Sequence, residues 1–330
     1  MTSTMMSAPA PSGAGLSLSL SDRRHLLGLE GMGREELTEL LDAAAHWRER
    51  TRARALPIDR LSRLTVCNAF FEDSTRTRVS FELAEKRLGA VAVSFSSAGS
   101  SVSKGETLLD TLRVIESMRV DVIVVRHPAA GAAAYVAQHL GCAVINGGDG
   151  THEHPTQGLL DLLTLRDAWS GRFEGRRIAI VGDIAHSRVA RSAIHGLTAM
   201  GASVTLAGPS TLMPAEVEAL GCEVAPCTDD ALEGADAVMA LRLQRERMEA
   251  GLLPSLGEYA RTWGINAARV ERMKPEAVVM HPGPMNRGVE ITADVADGPR
   301  SVIFRQVENG VAVRCAVLMR SAEALGLLAA

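Results

Sequence analysis

The chain has 330 residues, which is long for one hydrophobic core and sufficient for two domains of ~150 residues each. Charged residues make up 22% of it, and 35 basic against 39 acidic residues leave a formal net charge of −4, so no nucleic-acid or membrane surface is predicted. Aromatic residues account for only 3%, which argues against base-stacking surfaces, and no apolar stretch is long enough to predict a membrane span.

Residues 1–20 are rich in Ser, Ala, Pro and Gly and lack the basic start and continuous apolar run of a secretory signal, so they are predicted to be a disordered tail. The five scattered cysteines form no CxxC pair and predict free thiols in a reducing, cytoplasmic compartment.

Helical spacing begins near Leu26 and continues through REELTELLDAAAHWRER. The segment RVSFELAEKRLGA predicts a second helix that ends at Gly89, and HPTQGLLDLLTLRDAW predicts a long third helix. Buried strands are predicted at three short apolar runs, residues 64–71, 120–127 and 142–148.

A second set of strands begins with GRRIAIVGD at residues 175–183 and continues with ASVTLAGP, ADAVMALRLQ and AVVMHPGP. Because buried strands alternate with helical patterns, the predicted fold class is α/β, with two lobes that each contain a parallel sheet flanked by helices. The lobes divide near residues 160–175. The last stretch, CAVLMRSAEALGLLAA, predicts a terminal helix whose docking partner the residues alone do not identify.

Ligands of open α/β sheets bind outside the carboxyl ends of the strands. Polar or Gly/Pro clusters follow the predicted strands at residues 74–78, 126–128, 183–188, 242–244 and 281–284. These clusters are therefore the candidate site.

The cluster Ser74-Thr75-Arg76-Thr77-Arg78 lies where a strand ends and a helix begins. The cluster offers an anion the free N–H groups of a first helical turn, two threonine hydroxyls and a planar guanidinium. We therefore predict that it binds a phosphate-like anion. The alternative is a capped helix whose arginines are solvated. The chain has no GxxxxGK[ST] pattern, and the segment after Val181 lacks the second and third glycines of a dinucleotide fingerprint, so no nucleotide cofactor is expected.

Six motifs taken together resemble the aspartate/ornithine carbamoyltransferases: FFEDSTRTRVSFE, SKGET, RHP, HPTQ, RLQ and HPGPMNRG. They occur in the family's order over about residues 22–330. The resemblance implies a carbamoyl-phosphate-binding domain at 21–160, completed by a C-terminal helix at about 312–330 that returns to this lobe, and an aspartate-binding domain at 161–311. It also implies a homotrimer with active sites shared between neighbouring subunits.

The resemblance assigns roles to particular residues. Those that would bind carbamoyl phosphate are Ser74, Thr75, Arg76, Thr77, Ser100, Lys104, Arg126, His154, Gln157, Pro282, Gly283 and Pro284. Those that would bind aspartate are Lys104, Arg188, Arg242 and Gln244. The catalytic residues would be Thr77, Lys104, Arg126 and His154, with Ser100 and Lys104 reaching into the adjacent subunit's site.

Glu72 precedes the Ser74–Arg78 cluster, and its family counterpart pairs with second-lobe arginines when the lobes close. By resemblance these are Arg188 and Arg247. The alternative is a solvated carboxylate.

The reaction implied is transfer of the carbamoyl group of carbamoyl phosphate to the amino group of L-aspartate, an early step of de novo pyrimidine biosynthesis. Thr77, Arg126 and His154 would address the carbonyl oxygen, where negative charge develops. Gln157 and the carbonyls of Pro282 and Gly283 would accept from the carbamoyl NH₂, which is a hydrogen-bond donor. The departing phosphate could accept the amine proton, so no side-chain nucleophile, metal or cofactor is required.

Two features favour aspartate over ornithine as the acceptor. The chain lacks the SMG loop and HCLP segment of ornithine enzymes, and Arg242 and Gln244 alternate along an extended segment and so face the same side. With Arg188 they suit a dicarboxylate better than a diamine. Some family members have leucine where Gly283 stands, and glycine is expected to keep the backbone contact while loosening the loop.

The sequence has three alternative interpretations: a carbamoyltransferase for ornithine or an acylated amino acid, an inactive assembly subunit, and a dinucleotide-dependent oxidoreductase. The retained Lys104, His154 and arginines argue against the second. The HxH pair His152 and His154 is not expected to hold a metal. A separate regulatory chain or a dihydroorotase partner is left open.

Overall fold

The computed structural model describes residues 22–96, 106–244 and 255–329. The predicted tail at residues 1–20 lies outside the described residues, as do Ser100, Lys104 and Arg247.

The first lobe contains a four-stranded parallel sheet in the order β2-β1-β3-β4. Its strands are β1 (Thr65–Phe70), β2 (Val91–Ser96), β3 (Val122–His127) and β4 (Ala143–Asp149). The helices up to the end of this lobe are α1 (Arg34–Arg52), α2 (Thr75–Leu88), α3 (Leu108–Ser117), α4 (Ala132–Ala137) and α5 (Pro155–Ala168).

The second lobe contains a five-stranded parallel sheet in the order β7-β6-β5-β8-β9. Its strands are β5 (Arg177–Val181), β6 (Ser203–Ala207), β7 (Glu223–Val224), β8 (Ala237–Ala240) and β9 (Val278–Met280). Its helices are α6 (Arg188–Met200), α7 (Thr228–Leu232), α8 (Leu256–Trp263), α9 (Ala267–Val270) and α10 (Ala293–Ala296). The predicted α/β class with two parallel sheets is thus confirmed.

The last helix, α11 (Ile303–Ala324), follows the second sheet but packs on α1, α2 and α5 of the first lobe. It begins at Ile303, earlier than the start near residue 312 expected from the sequence. The burial pattern explains the difference: Phe304 is 73% exposed, whereas the polar Gln306 and Asn309 are buried. The first turns of α11 therefore lack the apolar periodicity that marks the rest of the helix.

The central strands form where the sequence has short runs of buried apolar residues. In β3 the side chains of Val122–Val125 are fully buried, as expected for a parallel strand that is covered on both faces. Because all paired strands are parallel, their carboxyl ends lie along one edge of each sheet, and α5 and α6 pack together between the sheets. Over the described ranges, no helix is both long and apolar enough to cross a membrane.

Glu85 of α2 is a fully buried carboxyl group, and the amide of Asn68 donates to both of its oxygens at 2.9 and 3.0 Å. Burial raises its pKa from 4.5 to about 8. Between pH 4.5 and about 8 the folded state therefore keeps a proton that the unfolded state has already released. The free energy of unfolding should fall as pH rises through this window.

We expect the Glu85→Gln variant to lose this part of the pH dependence and to gain stability relative to the unaltered protein as pH rises to 8.5. Denaturant unfolding followed at pH 5.5, 7 and 8.5 would measure it. Glu35→Gln, at an exposed residue of α1, is the matched control. Parallel stability curves for Glu85→Gln and the unaltered protein would contradict the prediction.

Candidate active site

A cleft of about 560 Å³ lies between the lobes, at the carboxyl ends of strands from both sheets. It brings together all the site residues predicted from the sequence that fall in the described ranges: Glu72, Ser74, Thr75, Arg76, Thr77, Arg126, His154, Gln157, Arg188, Arg242, Gln244, Pro282, Gly283 and Pro284. Residues more than 200 positions apart in the chain thus line one cavity.

The first turn of α2 lies at one corner of the cleft, which is called the anion corner below because its groups suit an anion. Ser74 occupies the N-cap position with an extended backbone, but its hydroxyl makes no capping hydrogen bond. The N–H groups of the first turn have no acceptor within the helix, and the Ser74 hydroxyl does not accept from them. These N–H groups and the positive end of the helix dipole suit a phosphate group.

Arg76 joins this corner to the second lobe. Its guanidinium is exposed to the cleft, and its pKa is lowered by partial desolvation and by the charge on Arg242. Two guanidiniums from different lobes therefore face the same space. Repulsion between them would be relieved by an anion bound in the cleft.

Gly283 packs directly against Arg76. Its backbone has a φ of +59°, in the left-handed region, and a β-carbon built on it would lie 2.1 Å from Nη1 of Arg76. The positive φ favours glycine, and the absence of a side chain lets the Arg76 guanidinium lie against this loop.

Glu72 bridges the two lobes through arginines. Nη1 and Nη2 of Arg188, the first residue of α6, donate to its two carboxylate oxygens at 3.0 and 2.9 Å, and Nη2 of Arg126 donates at 3.3 Å. A β-carbon on Gly148 would lie 2.9 Å from Nε of Arg188 and 3.2 Å from Nη1 of Arg126. The glycine at the end of β4 thus allows both guanidiniums to reach Glu72.

His154 lies at the base of the cleft, and its imidazole is neutral. Burial lowers its pKa well below 6.5, and the charges on Arg126, Arg188 and Arg314 lower it further. Its backbone N–H donates to the Ser192 hydroxyl at 2.8 Å. A neutral imidazole can donate one hydrogen bond to an oxygen in the cleft without transferring a proton.

Arg314 of α11 is a cleft residue that the sequence analysis missed. It is buried, its guanidinium lies 5.0 Å from the centre of the Phe81 ring, and Nη1 donates to the carbonyl oxygen of Gly310 at 2.7 Å. Burial lowers its pKa to about 10. The available signal was a single arginine inside the apolar run VAVRCAV, which is unusual on the buried face of a helix.

One group of side chains has the spacing of metal ligands. Ligand atoms of Glu30, His152 and Glu153 lie within 4.8 Å of one another. The Glu153 carboxylate already accepts from the backbone N–H groups of Leu29 and Glu30 and from the Ser192 hydroxyl, and His152 pairs with Asp149 at 3.1 Å. These hydrogen bonds give the buried carboxylate a structural role, and His154 is not part of the group.

The charge and donor pattern define what the cleft can do. Five arginines line it, Arg76, Arg126, Arg188, Arg242 and Arg314, against two acidic residues, Glu72 and Asp73. No cysteine is among the described lining residues. The arrangement suits the binding of anions and the stabilisation of negative charge on an oxygen.

Two family models cover most of the chain. Residues 24–167 match the aspartate/ornithine carbamoyltransferase, carbamoyl-P binding domain, and residues 174–320 match the aspartate/ornithine carbamoyltransferase, Asp/Orn binding domain. Among curated relatives, the aspartate carbamoyltransferase catalytic subunit of Gluconobacter oxydans is 57% identical over 302 residues, covering 91% of this chain and 96% of the relative. That of Myxococcus xanthus is 58% identical over 296 residues, covering 89% and 98%.

Solved structures show the same fold. The aspartate transcarbamoylase of Trypanosoma cruzi in complex with carbamoyl phosphate is 32% identical, with a TM-score of 0.81 over 90% of this chain and 95% of that one. The ornithine carbamoyltransferase of Thermus thermophilus is 27% identical, with a TM-score of 0.80 over 90% and 98%. The chain therefore belongs to the aspartate/ornithine carbamoyltransferase family.

Proposed function

We propose that this protein is the catalytic subunit of an aspartate carbamoyltransferase. It transfers the carbamoyl group of carbamoyl phosphate to the amino group of L-aspartate and releases N-carbamoyl-L-aspartate and phosphate, an early step of de novo pyrimidine biosynthesis. We place it in the cytoplasm, where free thiols such as its five unpaired cysteines persist. The observation that carries the proposal is the single cleft in which the α2 anion corner faces Arg242 and Gln244.

Carbamoyl phosphate is assigned to the first-lobe side of the cleft. The first turn of α2 and Arg76 would hold its phosphate, while Thr77, Arg126 and His154 would donate to its carbonyl oxygen. Preorganised donors aimed at the oxygen that gains charge typically contribute ~10²–10³ each in turnover. A neutral His154 fits this role, because it donates a hydrogen bond and leaves the amine proton for the departing phosphate.

Aspartate is assigned to the second-lobe side. Arg242 and Gln244 both line the cleft, while Leu241 and Leu243, which alternate with them, are buried. Guanidinium and amide groups match two carboxylates. The excess of arginine in the cleft also opposes the cationic side chain of ornithine. The fold itself does not discriminate, because solved aspartate and ornithine enzymes resemble this chain equally well.

The direct test incubates the purified protein with carbamoyl phosphate and either L-aspartate or L-ornithine, with no metal or nucleotide added. We expect carbamoyl-aspartate as the only product, detected by mass spectrometry. Carbamoyl-ornithine alone would overturn the assignment of Arg242 and Gln244. The absence of both products would favour another acceptor or an assembly subunit.

Glu72 is proposed to stabilise the closed arrangement of the lobes, because its carboxylate joins Arg126 of the first lobe to Arg188 of the second. In the Glu72→Gln variant one oxygen becomes an amide N–H₂ that cannot accept from a guanidinium. We expect turnover to fall by about tenfold or more, as for a lost charge-assisted pair of hydrogen bonds.

Carbamoyl phosphate binding measured by calorimetry should change little in Glu72→Gln, since the anion corner is intact. Glu82→Gln, on the same helix as the anion corner but outside the cleft lining, is the control. Turnover equal to that of the control would leave Glu72 without a role in closure.

We further propose a homotrimer in which Ser100 and Lys104 act in the site of the neighbouring subunit. The family resemblance supports this arrangement, and both residues lie outside the described ranges. A shared site can be tested by mixing two inactive variants, Lys104→Ala and His154→Ala, and refolding them together. In random hybrids of the two variants, about a quarter of the shared sites would receive an intact His154 from one chain and an intact Lys104 from its neighbour. Activity should therefore return in part.

Each variant refolded alone should stay inactive. Native mass spectrometry would confirm that hybrids form and that they contain three chains. Hybrid trimers without activity would show that each site is built from one subunit.

A further inference from the structure

A buried network connects the two parts of the cleft assigned to the carbamoyl NH₂ group. Asp161 of α5 and Gln306 of α11 are each 2% exposed. Nε2 of Gln306 donates to Oδ1 of Asp161 at 2.7 Å, and Nε2 of Gln157 donates to the same oxygen at 3.1 Å. The backbone N–H of His281 donates to Oε1 of Gln306 at 3.0 Å. The network thus runs from the loop after β9 to the side chain of Gln157.

The donor and acceptor directions of this network are fixed from one end. A backbone N–H can only donate, so the oxygen of Gln306 must face His281 and its NH₂ must face Asp161. Oδ1 of Asp161 accepts that bond, and it also accepts from Nε2 of Gln157. The NH₂ of Gln157 is consequently turned away from the cleft that the residue lines, and its amide oxygen is the end left for a ligand.

The same network holds the second group of acceptors. The imidazole of His281 accepts at Nδ1 from the N–H of Gly283 at 2.7 Å and contacts Oε1 of Glu290 through Nε2 at 3.2 Å. The loop that carries the carbonyls of Pro282 and Gly283 is therefore tied through His281 to Gln306 and Asp161. Acceptors from both lobes are oriented by one buried carboxyl group.

We propose that Asp161 is a positioning residue that sets the preference of the site for a carbamoyl group over an acyl group without an NH₂. This inference rests on the proposed function and adds the origin of its donor selectivity. Asp161 is not among the residues that line the cleft. It acts by holding the Gln157 oxygen toward the NH₂ of carbamoyl phosphate, which has only hydrogen atoms to offer there.

The matched ligand is acetyl phosphate, in which a methyl group replaces the NH₂ and the phosphate is unchanged. Without Asp161 the Gln157 amide is free to rotate and to present its own NH₂ to the carbamoyl NH₂. Binding of carbamoyl phosphate should then weaken, whereas acetyl phosphate and inorganic phosphate should bind as before. A general structural defect would weaken all three ligands.

Two substitutions separate the role of the accepting oxygen from that of the negative charge. Both hydrogen bonds go to Oδ1, and Oδ2 has no hydrogen-bond partner within the described residues. Asp161→Asn keeps an oxygen at that place and should retain the preference. Asp161→Leu removes the acceptor and keeps the same branching and number of non-hydrogen side-chain atoms, and Asp161→Ala replaces it if the variant with the larger leucine does not fold.

The experiment measures the KM for carbamoyl phosphate and the inhibition constants of acetyl phosphate and inorganic phosphate in the unaltered protein and each variant. We expect Asp161→Leu to raise the KM about tenfold, the scale of one lost oriented hydrogen bond, with both inhibition constants nearly unchanged. In the Gln157→Leu background the Asp161→Leu change should have a smaller effect on the preference than it has in the unaltered protein, because the part that acts through Gln157 is already lost and only the link to the Pro282–Gly283 loop remains.

The inference is overturned if Asp161→Leu keeps the preference, if it weakens all three ligands equally, or if Asp161→Asn loses as much as Asp161→Leu. Failure of the proposed function would look different, since the unaltered protein would then form no carbamoyl-aspartate.

Discussion

The rest of the site depends on the electrostatic repulsion between guanidiniums that lie close together in one partly desolvated cleft. Positively charged arginines repel one another more strongly away from bulk water. Each guanidinium must therefore be held in place by contacts of its own, and part of the charge must be balanced by a carboxylate. Glu72 compensates two of them, and Arg314 is held by Gly310 and the face of Phe81. The remaining positive charge is the driving force for binding a doubly charged phosphate and a dicarboxylate. Burial lowers the pKa of His154 well below its usual value, and the same positive charges lower it further.

Much of the fold and of the anion corner could be predicted from the sequence, because both depend on local patterns. Buried strand runs and helix periods indicate the two parallel sheets, and the polar clusters after the strands locate the cleft. The start of α11 could not be predicted, since Phe304 is exposed and Gln306 is buried, the reverse of the usual pattern. Arg314 and Asp161 could not be assigned to the site from the sequence for a different reason. Their positions depend on residues that are distant in the chain, Phe81 for Arg314 and Gln306 for Asp161.

Glycines at the cleft explain how large cationic side chains come so close to the backbone. Gly148 admits Arg126 and Arg188, and Gly283 admits Arg76. At both positions a β-carbon would meet a guanidinium at 3 Å or less. The similarity of this fold to aspartate and ornithine enzymes alike shows that the backbone is common to both branches. We therefore propose that side chains at the ends of the second-lobe strands, such as Arg242 and Gln244, determine which acceptor is bound.

The position of α11 in chain order has a consequence for biosynthesis. This helix is made after both sheets, yet it covers α1, α2 and α5 of the first lobe and supplies Arg314 and Gln306 to the cleft. A nascent chain that has emerged only as far as the second sheet exposes the apolar surface that α11 later covers. The first lobe therefore cannot complete its folding as an independent unit during translation, and it depends on a contact of high sequence separation that forms slowly. Until the last helix emerges, this surface is open to chaperones.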